Sequence, residues 1–238
     1  MASVLGQKLE GLTDFSKLEK PVRSHLRNVY SCLAATMIAA ATGAYVHVVT
    51  DYLKGNFLSA IASIGLLILL GATPPTSTYN QKMRLGFLLG FGFFTGLGMG
   101  PLLDAVISIN PSIIPTAFLS TCVIFGCFTL SALYCEQRKW LYIGGLLMSG
   151  LSFMLLLSIF NLFFQSRLMF QVNLYLGMAV MCAFVLYDTQ LIVEKRRRGD
   201  TDYIWHCVDL FLDFINIFRQ LLIILAQKEE GSRQKKRD

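Results

Sequence analysis

The sequence predicts an all-α polytopic membrane protein with six transmembrane helices and a seventh C-terminal membrane segment that is either re-entrant or spanning. Three observations support this fold class. Of the 238 residues, 54% are hydrophobic and only 15% are charged, whereas a soluble domain has about 25% charged residues. The mean hydropathy is +0.55. Several apolar runs reach the ~20 residues that a helix needs to cross a hydrocarbon core of ~30 Å.

The predicted elements follow from these runs and from the residues that bound them. The six spans are predicted at residues 29–50, 57–73, 85–103, 115–134, 140–160 and 172–193, and the seventh segment at 203–226. Pro74 ends the second span, whereas Pro115 lies in the first turn of the fourth, where its missing N–H is harmless. Trp140 is an interfacial anchor of the fifth span. The predicted domains are a cytosolic N-terminal arm at 1–28, a helical membrane domain at 29–226 and a basic cytosolic tail at 227–238.

Glycines crowd the third predicted span, which follows a polar loop at 76–84 and is closed by Asp104. Gly92, Gly96 and Gly100 fall four residues apart and therefore share one helix face. A face of small residues lets the backbone of a neighbouring helix approach closely within a membrane. We therefore predict that another helix packs tightly on this face.

Basic residues predict the orientation of the chain. If every run crosses, thirteen Lys and Arg residues lie on the side of the N-terminus, and only Lys54 and Arg167 lie in the opposite loops. The positive-inside rule therefore places the N-terminus in the cytosol. A seventh crossing would carry the basic tail to the opposite side, against the same rule. We therefore favour six spans plus a re-entrant or late-buried segment at 203–226, which keeps the tail in the cytosol.

A polar stripe runs along the helix predicted at 203–226. At about 100° per residue its members share one face, and they are His206, Asp209, Asp213, Asn216 and Gln220. Large apolar side chains occupy the opposite face. An ionisable group in a membrane segment costs about 2.5–3.5 kcal/mol on insertion scales, so the stripe must face protein or water.

A further carboxylate, Asp188, lies in the preceding run at 172–193. Helical rise places Asp188 about 9 Å, Asp209 about 10 Å and Asp213 about 16 Å from the charged connector between the two runs. These distances therefore leave both Asp209 and Asp213 as candidate partners of Asp188. Two carboxylates that share a dry site cannot both ionise, so a pair holds a proton near neutral pH or admits a hard cation such as calcium.

These residues predict an ion pathway and pH sensor made of Asp188, Asp209 and Asp213. His206 belongs to the same stripe, as an interfacial hydrogen-bonding residue or as part of the sensor. The alternative is that each aspartate only caps a helix or hydrogen-bonds a break in the backbone.

Other classes of function fit the sequence less well. Intramembrane aspartyl proteases also use two membrane aspartates, and Tyr187-Asp188 fits half of their motif, but the other half, Gly-x-Gly-Asp, is absent. No His-Glu-x-x-His motif and no zinc-type spacing of His and Cys occurs. The net charge of +6 comes from basic residues in the arm, connectors and tail, so we expect no nucleic-acid partner. We expect neither an enzyme nor a cofactor.

Four segments resemble the Bax inhibitor family, the transmembrane Bax inhibitor motif proteins. They are TGAYVH at 42–47, NPSIIPTAF at 110–118, FTLSALY at 128–134 and GDTDYIWHCVDLFLDF at 199–214. The resemblance runs nearly end to end. It implies a helical fold with a di-aspartyl latch, whose two members match Asp188 and Asp213 by motif. A bacterial relative also uses an arginine in its second span, and residues 57–73 contain none.

The resemblance implies an endoplasmic-reticulum membrane protein that suppresses cell death, lowers lumenal calcium through a pH-sensitive leak and restrains unfolded-protein signalling. On this interpretation Asp188 and Asp213 gate the leak and hold a calcium ion transiently. The resemblance also connects the basic tail, with Lys235, Lys236 and Arg237, to pH response and partner contact.

The same resemblance supports an alternative function. The chain would then be a non-conducting regulatory scaffold in the bilayer that binds Bcl-2-type and ER stress-sensor membrane proteins. Calcium ions are the partner of the leak, whereas membrane proteins are the partners of the scaffold. Formation of a homo-oligomer is open under both interpretations.

Overall fold

The computed structural model describes residues 19–50, 53–135 and 140–234. These residues are almost entirely helical, and no strand occurs among them. The described α-helices are α1 (Lys20–Val49), α2 (Phe57–Ala72), α3 (Thr78–Gly98), α4 (Gly100–Ile109), α5 (Ile113–Tyr134), α6 (Gly144–Phe164), α7 (Arg167–Arg197) and α8 (Tyr203–Gln234), with a 3-10 helix at Leu141–Ile143 before α6. The predicted all-α class is confirmed.

Four of the described helices are long and apolar enough to cross a membrane, namely α1, α5, α6 with the 3-10 helix before it, and α7. The bent pair of α3 and α4 makes a fifth candidate if it counts as one span. α2 has only 16 residues, about 24 Å of helical rise, which is shorter than the hydrocarbon core. The chain is therefore a multi-pass membrane protein, while the count of six spans and a seventh segment stays a prediction.

The third span, predicted at residues 85–103, contains a helix break. α3 ends at Gly98, α4 begins at Gly100, and the two helices are bent by 41°. Pro101 lies at the start of α4, where its missing N–H is harmless, whereas inside a continuous helix its ring would clash with the preceding turn. Asp104 consequently lies within α4 rather than at the end of a span. The polar loop predicted at 76–84 is also mostly helical.

Of the two forms favoured for residues 203–226, re-entrant and late-buried, the re-entrant form is wrong. α8 is one continuous helix of 32 residues, about 48 Å long by helical rise. A re-entrant segment needs a reversal of the chain, and α8 has none. The polar side chains of α8 are instead accommodated by burial within the protein, which needs no non-helical backbone.

The chain divides into two compact units. The first unit comprises Met1–Asn28 and Cys122–Thr201, and the second unit comprises Val29–Thr121 and Asp202–Asp238. In the first unit α6 packs against α7. Their short connection has Gln165 in the left-handed conformation at φ 46° and Ser166 as the N-cap of α7.

In the second unit α2 packs against α3, and α8 packs on both α3 and α4. The glycine face of α3 receives α1. A Cβ built at Gly92 would lie 2.7 Å from the Thr36 side chain, and a Cβ at Gly96 would overlap the Ala40 carbonyl oxygen. The backbones therefore approach with no room for a side chain, which confirms the predicted packing of another helix on this face.

Candidate functional site

The polar stripe of α8 is largely buried in the protein. His206, Asp213 and Gln220 are 1%, 5% and 6% exposed, and Asp209 and Asn216 are half-buried. The 3.6-residue period of the helix brings these side chains onto one face. A carboxyl group at this depth is shielded from water, so its ionised form requires a bound cation or strong hydrogen bonds.

The apolar face of α8 is packed by aromatic contacts within the second unit. Leu210 and Phe211 are fully buried. The ring of Phe211 meets that of Phe91 on α3 edge-on at 5.6 Å between centroids, and the rings of Phe214 and Phe118 meet at 6.0 Å. α8 is therefore a core helix of this unit, and packing on its apolar face fixes the rotation that buries the polar stripe.

An ion pair that the sequence analysis missed holds the start of α8. Arg84 of α3 is 2% exposed, and its terminal nitrogens donate to the two carboxylate oxygens of Asp202 at 2.9 and 2.6 Å. Its Nε also donates to the carbonyl oxygen of Leu70 on α2 at 3.3 Å. The backbone N–H of Trp205 donates to Asp202 Oδ1 at 3.1 Å, so the same carboxylate caps α8.

The sequence carries a signal for one member of this pair and none for the other. An aspartate directly before an apolar helical run indicates an N-cap, so the capping role of Asp202 was open to prediction. Arg84 is 118 residues away in the chain, and no periodicity or motif connects it with Asp202.

A second buried polar contact joins the end of α1 to α4. His47 is 3% exposed, its Nδ1 accepts the backbone N–H of Gly55 at 2.6 Å, and its Nε2 lies 3.0 Å from Asp104 Oδ2. Because Nδ1 accepts, the proton of the neutral ring is on Nε2, which donates to the carboxylate. A Cβ at Gly100 would overlap the His47 ring. The third glycine of the predicted face therefore packs on this histidine.

Asp188 lies on α7 in the first unit, and its side chain is half-buried. The two residues that follow it, Thr189 and Gln190, are buried. The Gln190 side chain accepts the backbone N–H of Trp140 at 2.8 Å and donates to the carbonyl oxygen of Ala132 at 3.2 Å. The part of α7 that carries Asp188 is therefore anchored to the end of α5 and to the chain before α6.

The carboxylates predicted as a pair belong to different units, because Asp188 lies in the first unit and Asp209 and Asp213 lie in the second. Their pairing stays a prediction. Among the described residues, no group of three or more His, Cys, Asp and Glu side chains is arranged to hold a metal ion. A calcium ion at Asp188 and Asp213 also stays a prediction, and it would need backbone or water oxygens to complete the six to eight ligands that calcium takes.

The residues predicted for the pH-responsive tail lie outside the described part of the chain. They are Lys235, Lys236 and Arg237. Their role in pH response and partner contact stays a prediction.

Several membrane-length helices and a terminal helix with a buried carboxylate define the class of this protein as a multi-pass helical membrane protein. The family described as "Inhibitor of apoptosis-promoting Bax1" matches residues 22–230, and the chain belongs to that family. The family resemblance noted in the sequence is therefore confirmed.

Individual relatives match over nearly the whole chain. Bax inhibitor 1 of Bos taurus is 56% identical over 227 residues, which cover 95% of this chain and 96% of the relative. Bax inhibitor 1 of Homo sapiens is 53% identical over 228 residues and 96% of each chain. Bax inhibitor 1 of Drosophila melanogaster is 44% identical over 229 residues, which cover 96% of this chain and 92% of the relative.

Proposed function

We propose that this chain is an endoplasmic-reticulum membrane suppressor of apoptosis that acts as a pH-sensitive calcium leak channel and modulates unfolded-protein signalling. The relatives named Bax inhibitor 1 support the suppression of apoptosis. The channel proposal is supported by the burial of Asp213, which is 5% exposed and lies on the same helix face as the buried His206 and Gln220. No enzymatic activity and no nucleic-acid binding form part of this proposal.

The charge state of the buried carboxyl groups is the proposed gate. A protonated carboxyl group is neutral and can lie within the protein at little cost, whereas a carboxylate at membrane depth attracts a hard cation. We assign the shared proton to Asp188 and Asp213, with Asp209 and His206 beside the pathway. Loss of the proton adds negative charge, so calcium takes its place.

The packing of α8 supports the assignment of Asp213. The ion pair of Arg84 with Asp202 holds the start of the helix, and ring contacts of Phe211 and Phe214 hold its apolar face. Because the helix is fixed at both places, the position of Asp213 is fixed as well. The gate therefore works by a change of charge at a fixed position rather than by rotation of α8.

Calcium flux into liposomes tests the gate. The full chain is reconstituted with a calcium-sensitive dye inside, and initial rates are measured as a function of external pH. In Asp213→Asn and in Asp188→Asn we expect the pH dependence to disappear, because an amide cannot ionise. At the pH where the flux rate of the parent chain changes most steeply, we expect the flux rate of each variant to differ from that of the parent by at least about tenfold, equivalent to 1.4 kcal/mol.

The matched control is Glu230→Gln, which removes a carboxylate from an exposed position of the same helix. Its flux should equal that of the parent chain at every pH. Parent-like flux and parent-like pH dependence in both aspartate variants would rule out the aspartate gate.

The scaffold is the second candidate, and the names of the relatives favour it because they refer to inhibition of Bax and not to ion flux. It would act by binding Bcl-2-type and ER stress-sensor membrane proteins. It predicts no calcium flux from the purified chain. It also predicts that deletion of residues 231–238 abolishes protection of cells while the membrane domain still folds.

We further propose that the N-terminus lies in the cytosol, as the charge distribution favours. α8 carries Asp209, Asp213 and Arg219 and is not among the described helices apolar enough to span. It therefore either crosses as a helix buried by protein or lies against the membrane domain without crossing. The positive-inside rule favours the second arrangement, with the tail in the cytosol. The packing of Leu222, in the second half of α8, in one cluster with Val106 of α4 and Ala44 near the end of α1 favours a crossing.

A further inference from the structure

The second unit contains an apolar cleft of about 450 Å³. Its lining comes from α1, from α3 and α4, from the first turns of α5 and from the middle of α8. Representative side chains of these walls are Ala41, Leu103, Phe118 and Phe214. Almost every lining atom is carbon, so the cleft offers its occupant packing and hardly any hydrogen bonds.

The cleft lies at the bend between α3 and α4. Gly96 and Met99 line it before or at the break, and Leu103 and Ile107 line it after the break. Gly96 brings α1 into backbone contact with α3, whereas the 41° bend changes the direction of α4. The cleft is therefore a consequence of the helix break at Pro101.

We infer that this cleft binds one acyl chain of a zwitterionic membrane phospholipid. Water is a poor occupant because an internal water molecule needs two to four polar partners. An extended peptide is equally unsuitable, since its backbone groups would find no partners in the lining. α1 and α5 are both candidate membrane spans, so the apolar molecules that surround them are the hydrocarbon chains of lipids.

The cleft is too small to enclose a partner helix. A helix with its side chains is about 10–12 Å in diameter, so roughly one turn of helix would occupy a volume of this size. One turn is too little contact to select a transmembrane partner. A flexible acyl chain is much thinner and can follow the cleft from its mouth to its end, with dispersion contacts along its whole length.

The position of the cleft indicates where the headgroup lies. On α1 the lining runs from Met37 to Val48, one residue before the end of the helix, and on α5 it begins at Ile114 in the first turn. One end of the cleft therefore lies near the membrane surface where α1 ends, which is the leaflet opposite the N-terminus. Tyr45 on its wall is 66% exposed, and an exposed tyrosine is typical of the headgroup level.

Charge at this level favours a phospholipid over a sterol. Asp104 follows the lining residue Leu103, and its side chain is 54% exposed while one of its oxygens accepts from His47. A half-exposed carboxylate complements the ammonium group of phosphatidylcholine or phosphatidylethanolamine. A sterol offers only a hydroxyl group at this position.

Photolabelling tests the proposal. The full chain is reconstituted in phosphatidylcholine liposomes that contain a phosphatidylcholine with a diazirine on its acyl chain, and adducts are located by mass spectrometry after irradiation. We expect adducts to be enriched on the lining side chains relative to exposed apolar side chains such as Leu146 and Phe153 on α6. Ala41→Phe, which places a ring in the cleft, should abolish the enrichment.

Ala60→Phe is the matched control, because Ala60 is exposed on α2 and does not line the cleft. It should leave the enrichment unchanged. Ile107→Phe fills the cleft from α4 and serves as a second variant if Ala41→Phe fails to fold.

Three outcomes would overturn the proposal. The first is even labelling of all exposed apolar helix faces. The second is stronger labelling of the lining by a diazirine sterol than by the phospholipid, which would identify a sterol site. The third is cross-linking between lining residues of two copies of the chain, which would identify a dimer interface.

Discussion

At the residue scale, burial makes Arg84 dependent on Asp202. A guanidinium group stays charged at any pH that the protein meets, and that of Arg84 is 2% exposed. The cost of removing it from water is offset by two hydrogen bonds to one carboxylate and a third to a backbone carbonyl. Removal of one partner would leave a buried charge without compensation.

Asp202→Asn tests this dependence. Asparagine caps a helix about as well as aspartate does, so the substitution removes the charge and retains the cap of α8. We expect a loss of about 3 kcal/mol in the free energy of unfolding, at the lower end of the range for a broken buried pair, because Asp202 is partly exposed. The measurement is denaturant unfolding in detergent micelles.

Asp200→Asn is the control for that experiment. Asp200 is exposed in the same connector, and its substitution should change stability by less than about 0.5 kcal/mol, as for surface positions generally. Equal losses in Asp200→Asn and Asp202→Asn would contradict a special role for the buried pair.

At the scale of the element, the small residues of α3 set its distance from α1. Membrane helices gain little from hydrophobic burial against one another, so close van der Waals contact provides much of their association. At Gly96 a Cβ would overlap a carbonyl oxygen of the facing backbone, which cannot move aside as a flexible side chain can. This element therefore tolerates no side chain at that position.

Gly96→Ala tests the close approach. Overpacking of a tight contact costs about 1–3 kcal/mol, and we expect a lower unfolding temperature and a lower free energy of unfolding in micelles. Gly86→Ala is the matched control on the same helix, because nothing lies within 4 Å of a Cβ at Gly86. Alanine has a higher helix propensity than glycine, so the control should be neutral or stabilising by up to about 1 kcal/mol.

At the scale of the whole molecule, the side of the membrane reached by each end follows from the number of crossings. Sequons for N-glycosylation, each placed in a flexible linker, can be inserted before residue 19, between Gln165 and Ser166, and after the C-terminus. We expect glycosylation only at the insertion between α6 and α7, because the positive-inside rule places both ends in the cytosol. Glycosylation of the C-terminal sequon would show that α8 crosses the membrane.

Much of the fold was predictable because its signals are local. Apolar length predicted the helical membrane class, helical period predicted the polar stripe of α8, and a four-residue spacing of glycines predicted the close packing on α3. The break at Pro101 was also a local signal, since proline in the middle of a helix ends or kinks it. The span predicted at residues 85–103 included Pro101 without assigning a break to it.

The missed contacts are of a different kind. His47 and Asp104 are 57 residues apart and Arg84 and Asp202 are 118 apart, so only the folded chain brings each pair together. Neither pair belongs to a spacing motif. Ionisable residues near helix ends have many possible partners, and the sequence does not rank them.

The sequence by itself determined the membrane class, the family and the face of α8 that carries carboxylates, because each depends on composition or on spacing along one helix. The tertiary structure decided that α8 is continuous and that Arg84 meets Asp202. These features depend on which distant segments are buried against one another. A buried guanidinium group needs a carboxylate partner, and a helix whose polar side chains are buried by protein needs no chain reversal. No local pattern in the sequence records which groups will be buried together.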